Sequence, residues 1–295
     1  MYLLPRFSYF EPRDGDEVCR LLSEMKEKAT VLAGGTDVLV NMKRGDLKTA
    51  NVVSILRIRE IQGVEARKEC FRLGATLLVV EISESAMLHQ HLPALVKAAR
   101  LVGSPLIQNR ATIGGNIVRA SPAADLPPPL MAYGARVVLT SVVGTREVSL
   151  DDFFVGLGET VIQPTEILSS IIVDKPPAHT GADYIKLGHR NAMECAITAV
   201  ASRITLDKPD GVIKDARVVL SAVAPKTIHA SAAEKILTGE KPSEELFVKA
   251  AALASKECSP IEDIRSGAEY RRSMARVLTK RTLLSAWHEA RGGDK

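Results

Sequence analysis

Between Arg110 and Pro129 the chain reads Arg-Ala-Thr-Ile-Gly-Gly-Asn-Ile-Val-Arg-Ala-Ser-Pro-Ala-Ala-Asp-Leu-Pro-Pro-Pro. Gly114 and Gly115 let backbone approach a bulky ligand where a Cβ would collide. Thr112 and Asn116 flank them with small hydrogen-bonding side chains. Asp125 is an acceptor beside a rigid Pro-rich turn, suited to a ribose or ribityl hydroxyl. The stretch is too apolar for a solvated linker and too rich in proline for a plain helix or central strand. It is expected to be a ligand-lining loop. A second stretch, Val31-Leu-Ala-Gly-Gly-Thr-Asp37, repeats the pattern of an apolar entry, a Gly-Gly pair and a hydroxyl. Successive backbone N–H groups in such a turn form a nest that holds a phosphate without a cation. Two nests suit a ligand with two phosphates. Either Gly-Gly alone reads as a tight turn; the pair, each followed by Thr or Asn, points to a nucleotide. Neither stretch is G-x-G-x-x-G or G-x-x-x-x-G-K-[ST], so the Rossmann and P-loop readings fail.

The elements that must position these loops can be read from apolar spacing. Residues 16–28 carry Val18, Leu21, Leu22 and Met25 on one stripe, with acid at the start and lysine at the end, which predicts an amphipathic helix. Val31-Leu32 enters the first nest, and residues 51–56 read as a strand. A small βαβ-like lobe over 1 to about 57 follows. Phe71 to Gly74 opens a second lobe. Residues 91–102 read as a helix ending at Gly103, which delivers the chain to the second nest. Residues 136–140 and 146–150 predict a hairpin around Val143-Gly144, and 166–173 a further strand. Pro176-Pro177 ends the lobe.

The last third changes character. Residues 196–206 and 212–223 are β-rich and joined by Lys208-Pro-Asp-Gly211, which has turn chemistry. Residues 243–256 and 269–290 are helical. In the last helix Met274, Val277, Leu284 and Trp287 share a face, and the basic run from Arg271-Arg272 to Lys280-Arg281 reads as a solvated face. The fold class expected is α+β.

The motifs resemble the FAD-binding medium subunit of the molybdenum hydroxylases, the xanthine dehydrogenase and carbon monoxide dehydrogenase family. The matching residues are Leu32-Ala33-Gly34-Gly35-Thr36-Asp37, then Gly103-Ser104-Pro105, Asn109-Arg110-Ala111-Thr112-Ile113-Gly114-Gly115-Asn116-Ile117 and Ser121-Pro122-Ala123-Ala124-Asp125-Leu126-Pro127. Lys186, Arg190-Asn191-Ala192-Met193 and Tyr270-Arg271-Arg272 follow in the same order. The resemblance implies a two-lobed FAD-binding domain over 1–176, of the type shared with p-cresol methylhydroxylase and vanillyl-alcohol oxidase, with lobes of about 1–57 and 58–176. It implies a carbon monoxide dehydrogenase flavoprotein-like domain over 177–295.

By the same resemblance, Leu32 to Asp37 and Thr112 to Asn116 hold the FAD pyrophosphate and adjoining parts. Asp125 accepts from the ribityl chain, and Leu168 contacts the isoalloxazine. Lys186 sets its charge near the flavin N1–C2 edge, where it stabilises reduced flavin. Read without the family, Asp125 is a turn cap, Leu168 a core leucine and Lys186 a surface lysine. The partners implied are a molybdopterin subunit and a subunit with 2Fe–2S clusters, in a heterotrimer or a dimer of heterotrimers. Leu77, Leu106 and Gln108 depart from the common family pattern and blur the assignment of the flavin faces.

Composition narrows the alternatives. The formal net charge is +4, from 39 basic and 35 acidic residues among 295, too mild to argue for nucleic acid. No apolar run approaches the roughly 20 residues of a membrane span. Met1-Tyr-Leu-Leu-Pro-Arg shows no secretory leader, so a cytoplasmic protein is expected. Cys19, Cys70, Cys195 and Cys258 are scattered, with no cluster spacing, and are expected to be mostly buried thiols. They form no cluster insertion like that of the hydroxybenzoyl-CoA reductase type. His89 and His91 lack further ligands, so no metal is assigned, and no nucleophile–base set makes any residue catalytic. The rival enzyme reading is a stand-alone flavin reductase sharing the FAD domain; the rival from another class is a nucleotide-binding regulatory subunit.

Overall fold

The computed structural model describes residues 3–292, so Met1 and Tyr2, read above for a leader, and residues 293–295 lie outside the described residues. The first lobe runs β1 (Ser8–Phe10), α1 (Gly15–Met25), β2 (Ala29–Leu32), α2 (Val38–Arg44) and β3 (Asn51–Ser54). Its three strands are parallel in the order β1-β3-β2, as a βαβ reading requires. Asp14 caps α1 by accepting from the Glu17 N–H, and Val18, Cys19 and Leu22 bury the predicted stripe. These side chains meet Val53, Ile55, Ile58 and Ile61 in a small core that also takes Ile167 from the second lobe.

The second lobe begins with β4 (Val64–Ala66) and β5 (Cys70–Gly74) and continues through six short helices. These are α3 (Val79–Glu84), α4 (Ala86–His91), α5 (Pro93–Arg100), α6 (Pro105–Gln108), α7 (Ile113–Val118) and α8 (Pro127–Ala132). Then come β6 (Arg136–Ser141), β7 (Gly144–Ser149), α9 (Leu150–Phe153), β8 (Phe154–Gly156), β9 (Glu159–Thr160) and β10 (Ile167–Asp174). The sheet is antiparallel, ordered β4-β5-β10-β6-β7. The helix expected over 91–102 is α5, which is shorter: Pro93 cannot donate into a preceding turn and starts it afresh, so His91 ends α4 instead.

The remaining strands, β11 (Thr180–Leu187), β12 (Thr198–Leu206), β13 (Ile213–Ser221) and β14 (Ile228–His229), form one antiparallel sheet. The helices α10 (Ser231–Leu237), α11 (Glu244–Lys256) and α12 (Ala268–Ala290) follow. Alternation along the strands divides two cores. Tyr184, Ala199, Ala201 and Val219 join the second-lobe core, while Val200, Ile204, Val218 and Leu220 join the core with α10–α12. The architecture is α+β: a two-lobed unit and an antiparallel sheet-and-helix unit sharing a packed face.

Helix α12 corrects the expected stripe. Leu284 and Trp287 of that stripe pack against the core, but Val277 is exposed, and the fully buried face is Arg271, Ala275, Leu278, Thr279, Thr282, Leu283, Ala286 and Ala290. Small residues win because the helix lies hard on the sheet: a Cβ on Gly181 would overlap the Ala286 carbonyl oxygen. Arg271, read as part of a solvated face, is 2% exposed. The cysteines divide likewise: Cys19 and Cys258 are buried, Cys70 is half-buried, and Cys195 is exposed.

Candidate functional site

A cavity of about 700 Å³ lies between the lobes and reaches the sheet-and-helix unit, within the usual size of small-molecule sites. Its walls are mostly apolar and small, with polar groups at few places. The first polar place is the turn after β2. The N–H groups of Gly34, Gly35, Thr36 and Asp37 have no hydrogen-bond partner among the described residues. Gly35 sits at φ +77°, a left-handed conformation that turns successive N–H groups toward one side. Gly34 is set against the other lobe: a Cβ there would overlap the Arg110 carbonyl oxygen and lie 2.8 Å from its carbon. Asp37 forms an ion pair with Arg119, Nε to Oδ2 at 2.8 Å, and accepts from Asn41 Nδ2 at 2.9 Å. Arg119 therefore brings a half-exposed cation to the open N–H groups.

The second Gly-Gly pair behaves differently. It opens α7, and its donors are engaged. Ile113 N–H donates to Leu77 O at 2.9 Å, Gly114 N–H to Ala75 O at 2.9 Å, and Gly115 N–H to the Thr112 hydroxyl at 3.1 Å. The expectation of a second phosphate nest in a loop is corrected: Thr112 is an N-cap, and the proline-poor front of the stretch is helical. Gly114 is needed for packing, since a Cβ would fall 2.7 Å from Ala75 O. Thr112, Gly114, Gly115 and Asn116 still line the cavity, as a wall.

Asp125 forms another polar place. It lines the cavity and is nearly buried. Tyr184 donates its hydroxyl to Oδ1 at 2.8 Å, and Lys186 Nζ donates to Oδ2 at 2.9 Å and to Leu101 O at 3.1 Å. The Lys186 and Asp125 side chains are 7% and 9% exposed. Burial pushes the Asp125 carboxyl above its ordinary range, against the pull of the Lys186 ammonium and the hydrogen bonds from Lys186 and Tyr184. Each Asp125 oxygen keeps a lone pair for one further donor. Lys186 is thus a buried partner of Asp125, not a surface lysine, and it is not part of the cavity lining.

Leu168 lines the cavity from β10, next to the register shift between Leu168 and Ser170. Ala33, Gly34, Gly35, Thr36 and Asp37 line it too, whereas Leu32 and Ile113 lie behind the wall. Several lining residues were given no role by sequence reasoning: Arg119 and Met193, which lie in stretches it singled out, and Ile107, Gln163, Glu194 and Cys195. Arg119 carried a weak signal, a cation one turn after a Gly-Gly pair. Tyr184 carried a better one, since it lies two residues before Lys186 on a strand and must share its face. Among the described residues no group of three or more His, Cys, Asp or Glu is placed to hold a metal ion, and no helix is long and apolar enough to cross a membrane.

Open N–H groups, apolar walls and a buried acceptor in one cavity of this size can take a long ligand that carries phosphate, a flat ring and hydroxyls. The comparisons agree in kind. Residues 5–176 match the FAD binding domain in molybdopterin dehydrogenase, and residues 183–286 match the CO dehydrogenase flavoprotein C-terminal domain. The chain is 32% identical over 283 residues to the carbon monoxide dehydrogenase medium chain of Hydrogenophaga pseudoflava, covering 96% of this chain and 98% of that one. It is 31% identical to the nicotinate dehydrogenase FAD-subunit of Eubacterium barkeri, over 79% of this chain and 80% of the relative. A solved structure of carbon monoxide dehydrogenase from Hydrogenophaga pseudoflava superposes with a TM-score of 0.93 at 33% identity, covering 97% of this chain and 98% of that one. The open turn, the cavity and the domain matches over nearly the whole chain lead to one conclusion: this protein belongs to the FAD-binding medium subunits of the molybdopterin dehydrogenase family.

Proposed function

We propose that the chain is the FAD-binding electron-transfer subunit of a molybdenum-containing hydroxylase or dehydrogenase complex. What carries this function is the interlobe cavity, whose lining holds residues 34–37 with their unpartnered N–H groups, mostly apolar walls and Asp125. That donor set fits FAD: N–H groups and Arg119 for the pyrophosphate, Leu168 and small apolar residues for the ring system, and Asp125 for a ribityl hydroxyl. When bound, FAD supplies the capacity to take up electrons singly and release them in pairs. The chain supplies position and electrostatics. Lys186 and Tyr184 hold Asp125 as an oriented acceptor, and the Lys186 charge acts on the site through that carboxylate.

Two domains, 1–176 and 177–295, divide the work. The partners are a molybdopterin-binding large subunit and a small subunit with 2Fe–2S clusters, in a cytoplasmic heterotrimer or dimer of heterotrimers. In support, relatives are named medium chains and FAD-subunits of dehydrogenases, and a further solved structure, 30% identical to this chain, is described as a Cu,Mo-CO dehydrogenase. The match to the flavoprotein C-terminal domain over 183–286 favours this role over a stand-alone flavin reductase. Expressed alone, the chain is expected to retain FAD and to be reduced by dithionite, yet to oxidise no N-heterocycle, aldehyde or thioester substrate until both partner subunits are present. Sustained substrate-dependent flavin reduction by this chain alone, with no Mo or Fe detectable, would overturn the relay role.

A further inference from the structure

Two stretches of cavity wall are held by one buried side chain that lies outside the cavity. Arg271, in the first turn of α12, donates from Nη1 to Ile197 O and to Ala222 O, both at 3.0 Å. Its Nη2 donates to Asp263 Oδ1 at 2.7 Å. Each acceptor continues to the wall. Ala222 N–H donates to Pro122 O at 2.7 Å, and the Ser221 hydroxyl donates to the same oxygen at 2.7 Å. Pro122 stands inside Ser121–Asp125, whose members Ser121, Ala123, Ala124 and Asp125 line the cavity. Ile197 lies two residues after the lining segment Met193–Cys195, and its N–H is fixed to Leu187 O at 2.8 Å. Asp263 also binds Arg265, whose carbonyl meets His189 Nε2 at 2.8 Å at the other end of that segment.

The wall needs such holding. Ala120, Met193 and Ala222 are non-glycine residues at φ +49°, +52° and +61°. Left-handed conformations of this kind persist only where surrounding bonds over-determine them. Met193 N–H donates to Gly103 O at 2.8 Å, and the Arg190 guanidinium donates to Met193 O at 2.7 Å. Arg271 is 2% exposed and its Nε has no partner among the described residues. A buried guanidinium with an unpartnered nitrogen is costly for stability alone, so its placement at the meeting point of two wall segments calls for a positional role.

We infer that Arg271 is a positioning residue for the cofactor cavity: through Ala222–Pro122 and through Asp263–Arg265–His189 it fixes the Ser121–Asp125 and Met193–Cys195 walls together. It touches no ligand. This rests on the proposed FAD site, and the test separates the two. FAD affinity, FAD dissociation rate and the visible circular dichroism of the bound flavin are measured for the parent chain, Arg271→Lys, Asp263→Asn and His189→Ala, with thermal melting of the FAD-free proteins as the folding control. The expected result is about tenfold weaker FAD binding in Arg271→Lys and Asp263→Asn, with an altered flavin dichroism. His189→Ala, an exposed change that leaves the core untouched, is expected to show a smaller loss in the same direction with an unchanged melting temperature. If Arg271→Lys does not fold, Asp263→Asn and His189→Ala decide the matter. Folded variants with the parent's affinity, dissociation rate and dichroism overturn the positioning role while leaving the FAD site intact. A parent chain that takes up no FAD overturns the proposed function, and this inference with it.

Discussion

Gly34→Ala is the sharpest single test of how the cavity is built. The added methyl would overlap the Arg110 carbonyl oxygen and lie 2.8 Å from the Arg110 carbonyl carbon and 3.1 Å from Ala111 Cα. Non-bonded heavy atoms do not settle much closer than about 3 Å, and the overlap with the carbonyl oxygen is the tighter contact, so the backbones must part by about 1 Å or more. Neither neighbour is a flexible side-chain end. Arg110 and Ala111 are tied by their N–H groups to Ile107 O, and the Ala111 carbonyl accepts from the Val79 N–H. The movement therefore falls on the 34–37 turn, whose N–H groups have no bonds to hold them. Overpacking of a close-packed site costs about 1–3 kcal/mol, and displaced N–H groups lose their aim as well. Expected is a loss of FAD affinity of about tenfold to a hundredfold, with the FAD-free protein melting within a few degrees of the parent. Fluorescence titration of stripped protein with FAD measures it. Gly63→Ala, a left-handed glycine with open space around it, serves as control and is expected to bind FAD like the parent. Parent-like affinity in a folded Gly34→Ala protein would refute the claim that this turn faces the ligand.

Further outcomes follow from buried charges. Lys186→Met leaves the Asp125 carboxylate without its ion-pair partner, and breaking a buried pair costs about 3–5 kcal/mol; chemical denaturation is expected to show that loss, and the double variant with Asp125→Asn to recover part of it. If FAD stays bound, Lys186→Met is expected to lower the flavin midpoint potential, about 30 mV for each 1.4 kcal/mol in a two-electron couple; an unchanged potential would show that its charge does not reach the site. His229 bridges Asp151 at 3.0 Å and Glu234 at 2.7 Å; burial opposes its charge, yet the two carboxylates raise its pKa from the ordinary 6.5 to about 9. Because the folded value is the higher one, His229 contributes stability that is full below pH 6.5 and lost as pH rises through about 9, on the order of 3 kcal/mol. Denaturation midpoints at the two ends of that window should therefore diverge in the parent and converge in His229→Gln; parallel pH curves would rule out the bridge.

Much of this organisation was legible in the chain, and the misses share a cause. The α1 stripe, the β6–β7 hairpin and the β12–β13 pair follow from local periodicity and turn chemistry, which large apolar residues and Gly report well. The first Gly-Gly turn was legible because nothing local satisfies its N–H groups. The second was misread because its donors are satisfied from afar, by Ala75 and Leu77. Arg271 was misread as solvent-facing because its acceptors, Ile197 and Ala222, lie 74 and 49 residues away. Lys186 and Tyr184 could be put on one strand face, but no spacing tells that Asp125, 61 residues from Lys186, waits opposite. The α12 stripe failed for a different reason: close approach favours Ala and Thr over the larger apolar side chains that dominate a periodicity search.

The place of β10 has a consequence for how the chain is born. It is the central strand of the second-lobe sheet, yet it pairs with β5 at Ser170 and Gly74, 96 residues apart, and its Ile167 completes the small core of the first lobe. Until that strand leaves the ribosome, the β4–β5 hairpin has an open edge and α1 lacks part of its apolar cover. Neither lobe can finish early, because long-range pairing must wait for its partner and meanwhile leaves strand edges open to wrong ones. A nascent chain stalled before Ile167 is therefore expected to bind a chaperone, and release of Ile167–Asp174 to relieve only part of that, because Tyr184, Ala199, Ala201 and Val219 of the second-lobe core still follow.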